Sequence, residues 1–258
     1  MGDTRPTTRD GFLGGRVQIR QPAKGYRAGG DPMLLAAAVT AAPGECVLDL
    51  GCGVGTAGLC LLARLPELRV VALELQPELA GLARDNAQAN GLADRFQVVE
   101  GSLLAPPPPL RAGAFDHVIT NPPWLPESRS RRPATASKSV GHLEGEADLG
   151  LWLTAATRFL KRRGTLAVIH RADRLGELLA AMAGLPLGAI TVFPLWPRPG
   201  RPAIRVVVTA RKDRKTPLDL LPGLVLHDAA GNYTAAAEDI LRHARPLFPP
   251  PDDLPAPA

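Results

Sequence analysis

"VLDLGCGVGTAG", residues Val47 to Gly58, opens an apolar run through glycines into a helical pattern. A strand that turns directly into a helix needs residues tolerant of positive φ and of close backbone approach, and glycine supplies both. Outward from this point, short apolar strands alternate with helical stretches. Strands are expected at 46–50, 69–75, 96–101, 117–120, 164–170, 189–193 and 204–211, with helices near 56–65, 77–90, 146–162 and 173–183. Such alternation makes parallel strands with right-handed crossovers, covered by helices on both faces. The last two strands are joined by "PLWPRPGRPA", too short for a helix, so they pair antiparallel. The expectation is an α/β sheet of seven strands with one reversed. Before it, residues 12–30 read as a Gly-broken hairpin, and Asp31 reads as the N-cap of a helix with Pro32 at the first helical position. Thr234 reads as the cap of a last helix.

One domain is expected over residues 11–248, after a loose segment 1–10 and before a Pro-rich tail 249–258. A basic, Ser/Pro-rich loop at 125–146 breaks the rhythm, and loops of that length are usually functional lids or disordered segments. The net charge of +5 suits a nucleic-acid partner and equally an Arg-rich solvated surface. Cys46, Cys52 and Cys60 match no zinc spacing and read as reduced core residues of a cytoplasmic protein, so no metal is expected. The N-terminus lacks a signal-peptide apolar region, and no apolar run is long enough to span a membrane.

Two spacings compete in the glycine loop. Gly53-x-Gly55-x-x-Gly58 matches the dinucleotide fingerprint, which would make the protein a nicotinamide-dependent oxidoreductase. Asp49-x-Gly51-x-Gly53-x-Gly55 resembles the loop of class I S-adenosylmethionine-dependent methyltransferases, whose sheet is Rossmann-like. The strand closes at Gly51 rather than at Gly53, and an acid at Asp49 suits a cationic amino-acid cofactor better than a pyrophosphate. Glu74, at the end of the next strand, suits ribose hydroxyls under either reading. The resemblance implies an adenine contact after the third strand, where this chain has Ser102; a plain turn residue is the alternative there.

"FDHVITNPPW", residues 115–124, ends a fourth strand in Asn121-Pro122-Pro123-Trp124. Glycine loop, acidic strand end and Asn-Pro-Pro-aromatic, in this order, resemble methyltransferases acting on amines conjugated to a π-system. "GYRAGGDPMLLAAAV", "DNAQANGL" and "NYTAAAEDIL" make the chain most similar to the bacterial transfer-RNA N6-adenine methyltransferase family that modifies adenine next to the anticodon. The family more often has Tyr or Phe where this chain has Trp124. The resemblance implies S-adenosyl-L-methionine held by Asp49, Gly51, Gly53, Gly55, Glu74, Ser102 and Asn121.

The chemistry gives the motif its tasks. An exocyclic amine is a poor nucleophile because its lone pair is delocalised into the ring. Acceptors for both of its N–H groups favour the localised, attacking form. Asn121 offers an amide oxygen and Pro122 a backbone carbonyl whose direction the prolines fix. Pro123 flanks the base, and Trp124 can stack on it, a contact worth about 1–3 kcal/mol. The target must be unpaired to expose its amine.

The same motif resembles that of protein glutamine N5-methyltransferases, which carry a helical domain before the loop, whereas only 48 residues precede Asp49 here. Structured RNA is therefore the preferred partner, its phosphates met by Arg129, Arg131, Arg132 and Lys138. Arg198, Arg201, Arg211, Lys212, Arg214 and Lys215 are further candidates. Tyr26, Arg27 and Asp31 lie where the resembled family closes over the cofactor's amino-acid end. A non-catalytic RNA-binding module is the reading from another class. His170 reads as a satisfied strand-end histidine, and His117, Trp152 and Trp196 read as structural. The oligomeric state stays open.

Overall fold

The computed structural model describes residues 6–24, 27–108, 110–123 and 149–248. The hairpin strands β1 (Thr7–Phe12) and β2 (Val17–Pro22) come first, then α1 (Asp31–Ala37). The core alternation follows: β3 (Cys46–Leu50), α2 (Thr56–Arg64), β4 (Arg69–Glu74), α3 (Pro77–Ala89), β5 (Phe96–Glu100) and β6 (Phe115–Thr120). After the undescribed stretch come α4 (Leu149–Phe159), β7 (Leu160–Arg171), α5 (Leu175–Ala183), β8 (Leu187–Trp196), β9 (Arg205–Lys212), the short β10 (Asp219–Leu220) and β11 (Leu224–Val225), and α6 (Ala235–Leu241).

The main sheet runs β10-β8-β9-β7-β6-β3-β4-β5, with β11 also on β8. Among the described residues, β9 alone is reversed, wedged antiparallel between β7 and β8. They form nine strands in this sheet rather than the expected seven. The two additions are two-residue strands that pair parallel to the outer edge of β8. Too short to carry a periodic signal, they cover an edge that would otherwise present unpaired backbone groups.

Val47, Leu48, Asp49 and Leu50 of β3 are all buried, because helices cover both faces and a central parallel strand has no wet side. One apolar core joins α1, α2, α3 and α6 to the sheet, and a second packs α4 and α5 on the opposite face. Gly58 on α2 permits the close approach of helix to sheet. A Cβ there would stand 2.6 Å from the Phe96 ring and 2.9 Å from Val70.

The hairpin begins at Thr7, inside the segment expected to be loose. Asn86 on α3 and Asn90, the residue that caps its C-terminus, explain its order. Their side-chain oxygens accept the backbone N–H groups of Arg20 and Gln18, each at 2.8 Å, and Asn86 Nδ2 donates to the carbonyls of Arg20 and Val54. One buried amide thus ties β2, α3 and the glycine loop together. Asp31 does not cap α1; it is the first helical residue and accepts from Arg205 Nε at 2.8 Å. Thr234 does cap α6, accepting from the Ala237 N–H at 3.2 Å. The expected helix to residue 162 ends at Phe159, where β7 begins.

Candidate active site

Strands β3, β4, β6, β7 and β8 all end at one edge of the sheet, where ligands of open α/β sheets collect. A cavity of about 390 Å³ opens there, between the glycine loop, the end of β4 and the end of β6. Its wall brings together Gly51, Gly53, Glu74, Asn121, Pro122 and Pro123. These residues come from three separate stretches of sequence, and strand order alone makes them neighbours. Leu75, Leu79 and Leu103 add an apolar side fit for a flat ring.

Glu74 is buried, and its carboxylate holds the loop. Oε2 accepts from the Gly53 N–H at 2.8 Å, and Oε1 accepts from the Gln76 N–H at 2.9 Å. A carboxylate accepts at several lone-pair sites, so hydroxyl donors in the cavity can share it. Asn121 is half-buried on the wall, and its side-chain amide makes no hydrogen bond among the described residues. It stands one residue beyond Thr120, whose Oγ1 donates to the Leu50 carbonyl at 2.8 Å. That bond fixes the end of β6 against the end of β3, and so sets where the Asn-Pro-Pro turn begins.

Sequence reasoning missed Trp152. It lines the cavity and donates from Nε1 to Thr120 Oγ1 at 2.7 Å. Its ring also presses on the glycine loop: a Cβ on Gly51 would meet Trp152 at 2.7 Å, and Gly51 has φ +73°. Gly51 is therefore required twice, by its backbone and by its neighbour. Trp152 reads from the sequence only as structural, and nothing local says which strand end it reaches.

Three residues expected at the cofactor lie outside the cavity wall. Asp49 sits behind the loop, 2% exposed, and accepts from the Gly58 N–H at 3.0 Å. Burial pushes its carboxyl up to about 7, the Gly58 N–H pulls it back, and the charge of Glu74 raises it further. Gly55 packs under Phe96 at the start of α2. Ser102 is buried and accepts from the N–H groups of Leu104 and Ala105, the hydroxyl of a tight turn. Arg27 bonds Asp10 and Thr8 of the hairpin rather than turning to the cavity. Tyr26, Trp124, Arg129, Arg131, Arg132 and Lys138 lie outside the described residues.

His170 is buried at the end of β7, two residues past Val168, the register partner of Thr120. It is not a satisfied histidine: neither ring nitrogen has a hydrogen-bond partner among the described residues. Burial holds its imidazole below the ordinary value, with Arg174 adding to the effect. No three His, Cys, Asp or Glu side chains among the described residues are grouped to hold a metal ion, and no helix among them is long and apolar enough to cross a membrane.

Residues 30–175 match the family described as the methyltransferase small domain. Over 227 residues the chain is 30% identical to tRNA1(Val) (adenine(37)-N6)-methyltransferase of Aeromonas hydrophila, covering 87% of this chain and 92% of that one. It is 42% identical to release factor glutamine methyltransferase of Deinococcus radiodurans, but over only 106 residues, 41% of this chain and 34% of that one. Among solved structures, a predicted O-methyltransferase from Agrobacterium tumefaciens superposes with a TM-score of 0.70 at 26% identity, covering 84% of this chain and 98% of that one.

Proposed function

The chain belongs to the methyltransferase small domain family, and we propose that it methylates the N6 amine of an unpaired adenine in transfer RNA, near the anticodon, in the cytoplasm. It is a methyltransferase that uses S-adenosyl-L-methionine. The observation that carries the amine reading is the shared cavity, in which Asn121, Pro122 and Pro123 face the same space as Gly51, Gly53 and Glu74.

The wall fits such a cofactor. Gly51 and Gly53 leave room for backbone approach, Glu74 would accept from ribose hydroxyls, and the leucines would cover the adenine. When bound, the cofactor supplies an electrophilic methyl group on a sulfonium. The work left to the protein is to hold the acceptor in line and localise its lone pair. Asn121 Oδ1 and the Pro122 carbonyl would each accept one N–H of the amine. A hydroxyl acceptor has one hydrogen and would leave one of the two acceptors unmatched, so the pair favours nitrogen over oxygen.

Adenine in RNA is favoured over glutamine in protein by the extent of the likeness: the tRNA-modifying relative matches over most of both chains, the glutamine methyltransferase over a minor part of each. Transfer of labelled methyl into RNA, DNA and protein fractions, followed by nucleoside mass spectrometry, tests this. N6-methyladenosine in transfer RNA is the expected product. Label found only in protein as methylglutamine overturns the RNA assignment and leaves the enzyme class intact.

A further inference from the structure

We propose that the β8–β9 hairpin and the loop packed on it form a second RNA-docking surface, with Arg198 and Arg201 on phosphates and Tyr233 stacked on a nucleobase. The proposal rests on the RNA reading above and names where, beyond the cavity, the nucleic acid is gripped.

The hairpin spans residues 197–204 and stands on the same sheet edge as the cavity, because β8 runs parallel to β3 and β6. Arg198 and Arg201 are exposed and make no ion pair among the described residues. Other arginines on this edge are engaged: Arg171 with Asp173, Arg174 with Glu177, Arg205 with Asp31. The two open guanidinium groups therefore attract an external anion, and a guanidinium binds phosphate in a two-pronged fashion.

The aromatic part is built and rigid. The Tyr233 ring stacks on His227 with centroids 4.7 Å apart and planes 23° apart, yet Tyr233 remains 40% exposed. One ring is thus backed by another and still presents surface to solvent, the arrangement on which a base extends a stack. His227 is fastened to the hairpin, since its backbone N–H donates to the Pro197 carbonyl at 3.2 Å and its Nδ1 lies 3.2 Å from the same oxygen. Trp196 Nε1 donates to the Pro222 carbonyl at 3.1 Å, and Thr234 Oγ1 donates to the Val225 carbonyl at 2.7 Å. Arg198 reaches across to Gly231, where an added Cβ would stand 3.4 Å from its guanidinium. Positive charge and stacking ring therefore share one platform whose parts cannot drift independently.

Binding of fluorescently labelled bulk transfer RNA, followed by anisotropy across a salt series, tests the surface. The Arg198→Gln/Arg201→Gln variant is expected to bind about tenfold more weakly at 0.1 M salt, and to lower the log–log salt slope by about 1.4–1.8, the signature of two lost phosphate contacts. Tyr233→Ala is expected to lose about tenfold, and Tyr233→Phe, which keeps the ring, to lose almost nothing. Arg214→Gln/Lys215→Gln, on the opposite sheet edge, is expected to bind as the unaltered protein does. Stabilisation by S-adenosylhomocysteine in a thermal melt, equal in all variants, certifies the fold. Unchanged affinity and slope in the arginine variant, or equal losses in Tyr233→Phe and Tyr233→Ala, overturn the surface. If instead the unaltered protein methylates protein and no RNA, the function proposed above fails, and this surface with it.

Discussion

The two edges of the sheet use their polar side chains differently. At the amino edge several of them close on one another. Asp116 accepts from the Cys46 N–H at 3.0 Å and from Lys161 Nζ, Glu45 meets His117 at 2.9 Å, and Lys212 Nζ donates to the carbonyls of Thr157 and Leu160. At the carboxyl edge, the Asn121 amide, both His170 nitrogens and the Arg198 and Arg201 guanidiniums lack hydrogen-bonding side-chain partners or ion pairs among the described residues. A folded protein pairs its buried polar groups where it can, so the buried His170 nitrogens and the half-buried Asn121 amide point to a ligand at this edge, and the exposed arginines stand open to an anion beside it.

The contrast is broken most decisively by Asn121→Ala. If the open amide serves turnover, kcat falls by about 10²–10³-fold while S-adenosylhomocysteine stabilises the variant nearly as before. Loss of cofactor binding at unchanged structure would show that Asn121 belongs to the cofactor instead. Next in size is Gly51→Ala, which places a methyl against Trp152 in a left-handed backbone and is expected to cost about 1–3 kcal/mol and weaken cofactor binding. Adding Trp152→Phe should recover part of that loss, because the ring atoms that collide are those the smaller side chain lacks; a strictly additive double variant in chemical denaturation would refute the contact.

A pH series probes the buried groups of the carboxyl edge. Asp49, raised to about 7 in the folded protein, lies far above its unfolded value near 3.8. Its contribution is therefore complete below the unfolded value and is lost as pH rises through about 7. The ligand-free protein should melt lower at pH 8 than at pH 6, and Asp49→Asn should flatten that difference; identical slopes would mean that the carboxyl is already ionised. His170 acts oppositely: its folded value is depressed, so stability falls as pH drops below the unfolded value near 6.5. The smallest effect is expected at the amino edge, where Lys161→Ala removes an exposed partner of Asp116 and should cost less than about 1 kcal/mol, with unchanged activity.

Much of the site was legible because its signals are local. Asp49-x-Gly51-x-Gly53 and Asn121-Pro122-Pro123 each mark a strand end by chemistry that no other position demands. The direction of Asp49 was harder to see. Period-2 alternation along β3 sends Asp49 to the α2 face with Val47, so it braces the loop from behind, although its place in the motif suggested the cofactor. Trp152 was invisible for a different reason. Its partner Thr120 lies 32 residues away, across a crossover whose landing point depends on the whole sheet.

The basic residues show where the boundary lies. Sequence placed Arg198, Arg201, Arg211, Lys212, Arg214 and Lys215 in one group of candidate phosphate contacts. Because β9 is reversed, its start stands on the cavity edge and its end on the far edge, so Arg198 and Arg201 share an edge with the cavity while the other four are carried to the far side. The sequence by itself determined the alternating α/β pattern, the glycine loop and the Asn-Pro-Pro turn, because each rests on backbone geometry within a few residues. Only the tertiary structure decided which side chains meet, since strand order and strand direction are properties of the closed sheet and of no segment within it.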